Sequence, residues 1–304
     1  MRRVLLALCA LLASAAAAPA QDITPPGFKL PPLGPVTAAT PAKELFGRKP
    51  TPAELETRSI GFYAKGCLAG AVALPVNGQT WQVMRLSRNR NWGNPAMIAF
   101  LERFSNEVPD VAGWPGILVG DISQPRGGPM RTGHASHQIG LDADIWLTPM
   151  PRRELSTAER ETMSAKMMVR GDRLDVSSAW TPGHMAVIRA AAMDPQVQRI
   201  FVNPAIKKAL CRDAAGDRSW LEKVRPMFGH DYHFHVRLYC PKGATTCTPQ
   251  DEVPGGEGCR KEDLAWWFSD AVLHPRPPTT PAKPKPPLVM ADLPAACRQV
   301  LVSP

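Results

Sequence analysis

Residues 233 to 238, His-Phe-His-Val-Arg-Leu, alternate polar and apolar with a strict period of two. A strand sorts such a sequence onto two faces, so Phe234, Val236 and Leu238 face a core while His233, His235 and Arg237 share the other side. Two imidazoles then stand on one surface. A second segment repeats the pattern: with Gly140 to Trp146 extended, Asp142 and Asp144 share a face opposite Leu141, Ala143 and Ile145. Gly140 permits a tight bend ahead of that strand, through which His137 can fold back to the same point. His137, one of the two aspartates and one of the two strand histidines converge as a three-ligand set.

Residues 133–144 and 230–235 together hold five of the seven histidines. Neutral imidazole nitrogen and carboxylate oxygen are the ligands a borderline-soft divalent cation such as zinc prefers, and three protein ligands with one open position make a hydrolytic site. A zinc hydrolase is the first expectation. The rival is a hydrogen-bonded polar core, which would need many compensating partners to bury so many imidazoles. His184 and His274 have no clustered partners and are read as ordinary core or surface residues.

The compartment follows from the N-terminus. Arg2 and Arg3 precede an apolar run from Val4 to Ala18, and Ala18-Pro19-Ala20 places small residues where a signal peptidase reads them. Residues 1–20 are expected to be a signal peptide, and the periplasm the destination. The run is too short for a comfortable transmembrane helix. Cys9 follows Leu8, where a lipid-anchor signal would want a small residue. Loss of the leader leaves Cys67, Cys211, Cys240, Cys247, Cys259 and Cys297, an even set that reads as three disulfides in an oxidising compartment. Proximity favours Cys240 with Cys247 alone among the pairings. Thiolate zinc ligands are disfavoured because no Cys-x-x-Cys pair occurs.

A hydrophobic content of 44% is enough for a sizeable core. One catalytic domain over 21–274 is expected, with a Pro-rich arm over residues 23–42 and a tail over 275–304. Prolines over 275–287 favour extended, polyproline-like chain. Cys297 lies beyond them, so a disulfide should tie that end back onto the body. The net charge of +9 suits an anionic or carboxylate-rich partner, although solvated surface charge explains it equally well. No Lys/Arg run points to nucleic acid. Strands are expected at Thr80 to Leu86, Gly116 to Ile122, Arg199 to Val202 and Phe234 to Tyr239, and helices at Pro95 to Val108 and Pro182 to Ala192. Without a strict strand–helix alternation, the fold class is α+β, a small, mainly antiparallel sheet with helices packed around it. The oligomeric state is left open, a homodimer included.

The spacing His137-x-x-Gly140-x-x-x-Asp144, followed far downstream by His233-x-His235, resembles the zinc peptidase group of lysostaphin-like enzymes, D-alanyl-D-alanine peptidases and the hedgehog signalling domain. More narrowly, Ser123-Gln-Pro-Arg-Gly-Gly-Pro-Met130, Gly133 to Asp144, Arg199-Ile-Phe-Val-Asn-Pro-Ala-Ile206 and Val224-Arg-Pro226 to Arg237-Leu238 resemble the bacterial penicillin-insensitive murein endopeptidases over the whole mature chain, cysteines included. That resemblance implies His137, Asp144 and His235 as zinc ligands, with room for His134 to touch metal or line the cleft. It implies His233 as the unligated catalytic histidine beside them and Asp142 as a partner that orients a ligand, while His230, clustered with them, is a second catalytic candidate or another such partner.

The family substrate is the peptide cross-link of peptidoglycan, commonly D-alanyl to meso-diaminopimelyl. Its free carboxylates make Arg126 and Arg131 substrate-binding candidates. No serine nucleophile is needed, which would explain insensitivity to a β-lactam. Some relatives carry a peripheral zinc on an Asp-x-x-His string, whereas Arg170-Gly-Asp-Arg-Leu-Asp175 here lacks the histidine. Trp180, Trp266 and Trp267 are expected to pack in the interior rather than bind sugars. A zinc D,D-carboxypeptidase is the alternative activity. A non-catalytic murein-binding protein with structural zinc is the alternative class, disfavoured because His233 is present and a structural zinc normally takes four protein ligands.

Overall fold

The computed structural model describes residues 30–253, 255–276 and 285–304. The expected leader and parts of both Pro-rich segments lie outside the described residues. Strands Arg58–Phe62 (β1) and Lys65–Ala69 (β2) form an antiparallel hairpin, and the short strands Val72–Ala73 (β3) and Trp92–Gly93 (β5) pair with each other. The main sheet has six strands in the order β4-β6-β7-β10-β8-β9. These are Trp81–Val83 (β4), Ile117–Val119 (β6), Asp142–Trp146 (β7), Val197–Val202 (β8), Val224–Pro226 (β9) and His233–Leu238 (β10). Its centre is antiparallel, β6 to β7 to β10 to β8, while β4 with β6 and β8 with β9 run parallel at the two edges. The sheet is therefore mixed at its rims within an α+β fold.

One face of this sheet is the core. Helix α1 (Ala42–Phe46) precedes it, and the two long helices, α2 (Pro95–Ala112) and α4 (Pro182–Met193), supply much of the cover. Helix α2 starts where Asn94 accepts the Ala96 N–H and Pro95 occupies the first turn, and Gly113 ends it in the left-handed conformation. Phe104 of α2 meets Phe234 of β10 edge to face at 6.4 Å between centroids, and Val187, Ile188 and Ala191 of α4 join the same cluster. The larger of these apolar side chains, Phe104, Phe234, Val187 and Ile188, each contribute about 1.5–3 kcal/mol on full burial. His184, in the first turn of α4, is a satisfied core histidine. Its Nε2–H donates to Leu147 O at 3.0 Å and its Nδ1 accepts the Thr181 N–H at 3.0 Å.

Helix α3 (Thr157–Thr162) opens with a capping box between Ser156 and Glu159 and inserts Arg160, 2% exposed, whose guanidinium donates to Val83 O and Leu155 O. Helix α5 (Pro204–Asp213) is capped by Asn203, and α6 (Lys261–Ala265) and α7 (Asp270–Leu273) follow β10 in sequence. The chain's last helix, α8 (Ala296–Val302), packs with α1 and the β1–β2 hairpin in a second apolar cluster that includes Phe46, Ile60, Cys67 and Cys297. Three disulfides join Cys67 to Cys297, Cys211 to Cys259 and Cys240 to Cys247. The first ties the C-terminal end to the body, as the position of Cys297 implies, and a closed loop of that kind contributes roughly 2–4 kcal/mol.

Two expectations need correction here. The strand expected at Thr80 to Leu86 shrinks to β4, because Arg85 turns left-handed at φ 57° and a short 3-10 turn follows at Leu86–Arg88, and that expected at Gly116 to Ile122 shrinks to β6, beyond which the Ile122 N–H leaves the ladder for Arg90 O. Interior packing of the tryptophans fails for Trp266, which is 58% exposed beside Phe228 at 54%.

Candidate metal centre

The other face of the central strands gathers the polar residues. Strands β7 and β10 pair in the register His235 with Asp144 and Arg237 with Asp142, so these four side chains share a face. Asp142 is fully buried and acts as a three-way anchor. Its Oδ1 accepts from Arg237 Nε at 2.7 Å and His235 Nε2 at 2.8 Å, and its Oδ2 accepts the His137 backbone N–H at 3.0 Å. The Arg237 guanidinium in turn lies 4.2 Å from the centre of the Tyr63 ring and 5.2 Å from that of Phe201. Since His235 Nε2 carries the donated proton, its Nδ1 is a bare lone pair, and it lies 3.3 Å from Asp144 Oδ1.

His137 reaches the same point from a turn. It adopts φ 66°, and its ring Nδ1 donates to Ile122 O at 2.6 Å, which leaves Nε2 unprotonated and 3.4 Å from Asp144 Oδ1. Gly140, at φ 70°, closes the turn: a Cβ there would sit 2.6 Å from Leu68 Cδ2 and 2.8 Å from the Asn94 N. Its carbonyl accepts that same Asn94 N–H at 2.9 Å, coupling the turn to the start of α2.

Three electron-pair donors therefore converge: two bare imidazole nitrogens and one carboxylate oxygen. His137 Nε2 and Asp144 Oδ1 are buried without any hydrogen-bond partner, and a buried acceptor group of this kind is costly unless a cation sits among the donors. Ligands about 2.0–2.1 Å from a tetrahedral zinc stand roughly 3.3–3.4 Å apart, which is the spacing of both nitrogens from Asp144 Oδ1. The donor set fits zinc.

His134 borders this set. Donor atoms of His134, His137 and Asp144 also lie within 4.8 Å of one another. Yet His134 Nε2 is already 2.9 Å from Asp121 Oδ2 and stands 3.5 Å from the outer oxygen of Asp144. The closer spacing and the anchored tautomer favour His235 over His134 as third ligand, with His134 at the mouth. Asp121 is the residue that sequence reasoning missed. It is buried between Arg88 at 3.1 Å, Arg90 at 2.8 Å and His134, and no spacing signal marks it in the chain.

The open side is lined by a further imidazole. His233 Nε2 lies 3.6 Å from Asp144 Oδ2, and its Nδ1 is buried without a partner. His230, at φ 55°, donates its Nδ1–H to Phe228 O, 2.9 Å away, and its ring centre is 4.9 Å from that of His233. A hollow of about 30 Å³, room enough for a water, is bounded by Arg85, Arg88, Asp121, His134, Asp144, Tyr232 and His233. Burial pushes the His233 and His235 imidazoles down to about 3 and about 4, so both are neutral at physiological pH. Burial alone would raise the Asp144 carboxyl, but His233, His137 and His134 outweigh it and hold it well below the usual carboxylate range. Neutral His233 and His235 beside an ionised carboxylate are the protonation states metal binding requires, whereas at His137 burial is outweighed by Asp144 and Asp142, which raise its imidazole, so a cation bound there would displace a proton.

The two expected substrate arginines differ in what the fold leaves open. Arg126 is 3% exposed and donates to Thr51 O, Val300 O, Leu301 O and Ser303 O, so its guanidinium clamps the C-terminal helix and is not offered to a substrate. A sequence cannot show that four carbonyls from remote segments saturate it. Arg131 pairs with Glu44 of α1 at 3.1 Å and keeps a partly exposed side chain.

Two imidazoles and a carboxylate on neighbouring elements, with a third imidazole on the open side, define a candidate metal centre of the hydrolytic kind. A family described as penicillin-insensitive murein endopeptidase matches residues 59–302, and the chain belongs to that family of peptidases. It is 47% identical to the penicillin-insensitive murein endopeptidase of Haemophilus influenzae over 262 residues, 84% of this chain and 87% of the relative. It is 40% identical to the one from Klebsiella pneumoniae over 304 residues, 99% of this chain and 98% of the relative. The protein of the same name from Escherichia coli K12 is 39% identical over 302 residues, 99% and 98% of the two chains.

Proposed function

We propose that this peptidase is a zinc-dependent murein D,D-endopeptidase that hydrolyses D-alanyl to meso-diaminopimelyl cross-links in the periplasm. The observation that carries the reading is the pair of buried, unpartnered atoms His137 Nε2 and Asp144 Oδ1, with His235 Nδ1 beside them. His137, Asp144 and His235 would hold the zinc, which supplies Lewis-acid polarisation of the scissile carbonyl and acidifies water.

The chain's own groups do the rest. Asp142 holds His235 and, through the backbone, His137 in one orientation. His233, neutral and lining the same hollow as Asp144, accepts a proton at Nε2 and returns it to the leaving amine. His230 stands behind His233 as its neighbour in that relay. Asp121 fixes His134 at the mouth. Arg131, alone of the two expected arginines, retains an exposed edge for a stem-peptide carboxylate. Among the described residues no helix is long and apolar enough to cross a membrane.

Digestion of purified cross-linked muropeptide dimers, with and without chelator and zinc restoration, tests this by mass spectrometry. Metal-dependent release of two intact monomers is the expected result. Release of a terminal D-alanine alone would replace the endopeptidase by a carboxypeptidase, and no cleavage by a folded, zinc-loaded sample would make it a binding protein.

A further inference from the structure

The loop that carries His230 also carries Phe228, one ring of an exposed aromatic cluster. Phe228 is 54% exposed and Trp266 is 58% exposed, with Met227 at 40% on the same loop. Phe228 meets Trp267 at 4.9 Å and Trp266 at 5.8 Å, and the two tryptophans are 4.8 Å apart. The rings come from two segments far apart in sequence, so their meeting is a product of the fold. Exposed apolar surface of this size costs free energy in water unless something covers it.

The rings meet at 61° to 76°, edge to face rather than stacked, and Phe228 and Trp266 keep more than half of their surface in solvent. Beside them a hollow of about 680 Å³ is lined by Arg225, Gly256, Gly258, Arg260, Asp263 and Trp267. That is the size range of a small-ligand site that combines aromatic walls with a few polar groups. Its wall is held in place. The Cys211–Cys259 disulfide anchors one end, and buried Lys207 donates to Glu257 O at 2.6 Å and Leu221 O at 2.8 Å. A preordered wall lowers the entropy lost on binding. The cluster is also continuous with the metal centre, because Phe228 O is bonded to His230 Nδ1 and His230 adjoins His233.

We propose that Phe228, Trp266 and Trp267 form a saccharide-binding shelf, on which the glycan of a murein substrate stacks while its stem peptide enters the metal centre; the proposal rests on the murein reading given above. Pyranose rings present C–H faces that suit open aromatic faces, and their hydroxyls suit the polar rim of the adjoining hollow. The Arg225 guanidinium in that hollow matches a stem-peptide carboxylate next to the sugar. Aromatic groups supply large contact area at small entropic cost, so truncating them should remove most of the sugar's contribution.

The full mature protein and its Trp266→Ala/Trp267→Ala variant would be compared on two cross-linked substrates, one carrying its disaccharides and one stripped of them. The wild type should prefer the sugar-bearing dimer by roughly tenfold in KM, and the variant should lose that preference. A second measurement is independent of turnover: peptide-free murein glycan fragments titrated into each protein, followed by tryptophan fluorescence, should bind the wild type and not a Phe228→Ala variant. Equal KM values for the two substrates in the wild type, or no glycan binding, would overturn the shelf. If the wild type cuts neither dimer the murein reading falls, while the fluorescence titration still decides the shelf. Should the double variant fold poorly, Trp266→Ala alone serves, because that side chain is mostly in solvent.

Discussion

The two faces of β10 are equally buried and chemically opposite. Phe234, Val236 and Leu238 are 0–1% exposed among other apolar groups, and His233, His235 and Arg237 are 4–7% exposed among charged ones. The apolar face is satisfied by packing alone and tolerates no vacancy. The polar face is satisfied only in part. Arg237 and His235 have Asp142, but His137 Nε2 and Asp144 Oδ1 lack a protein partner. A core can be completed by its own chain, whereas this face leaves donor atoms that a cation would complete. That difference is what separates a structural strand from a functional one.

The largest effect that would sharpen the contrast is His235→Ala. Loss of one of the three proposed ligands should abolish stoichiometric zinc and muropeptide cleavage with the circular dichroism spectrum intact, and retained zinc in metal analysis would transfer the ligand role to His134. His233→Ala should keep zinc yet lower turnover by about 10²–10⁴-fold, the range for a lost general acid–base group. Normal turnover in that variant would remove His233 from the reaction. On the opposite face, Phe234→Ala should cost about 3–5 kcal/mol in denaturant unfolding through the cavity it leaves against Phe104, with zinc stoichiometry unchanged. If zinc were lost along with the packing, the two faces would not be separable. The smallest effect belongs to Asp142→Asn, which weakens the hold on His235 and should lower zinc affinity by about 10–100-fold in a chelator competition. An unchanged affinity would mean that the β7–β10 register alone aims His235.

The strand His233–Leu238 was legible because its information is local. A period of two in His233 to Leu238 demands a strand with imidazoles on one side, and the same logic pairs Asp142 with Asp144. Helices α2 and α4 were legible for the same reason, through Pro95 and Pro182 at their first turns and apolar spacing behind them. The short strands β4 and β6 were less so, because apolar flanks such as Ile122 continue into loops that tertiary hydrogen bonds shape. Arg126 and Arg131 stood next to the first histidine cluster in sequence, yet the fold turns one into a clamp on the C-terminus and pairs the other with α1. Asp121 could not have been found by spacing, since its partners Arg90 and His134 lie on either side of it in sequence and meet only in the folded chain.

Side-chain type and backbone period were enough to establish that imidazoles and carboxylates would share a surface, because alternation along a strand depends on the chain alone. Which nitrogen of each histidine is bare, which carboxylate oxygen lacks a partner, and which aromatic rings remain in water were decided by contacts between remote segments. Proton positions follow from hydrogen-bond partners, and exposure follows from what packs above a side chain. Neither is a property of a residue and its neighbours in sequence.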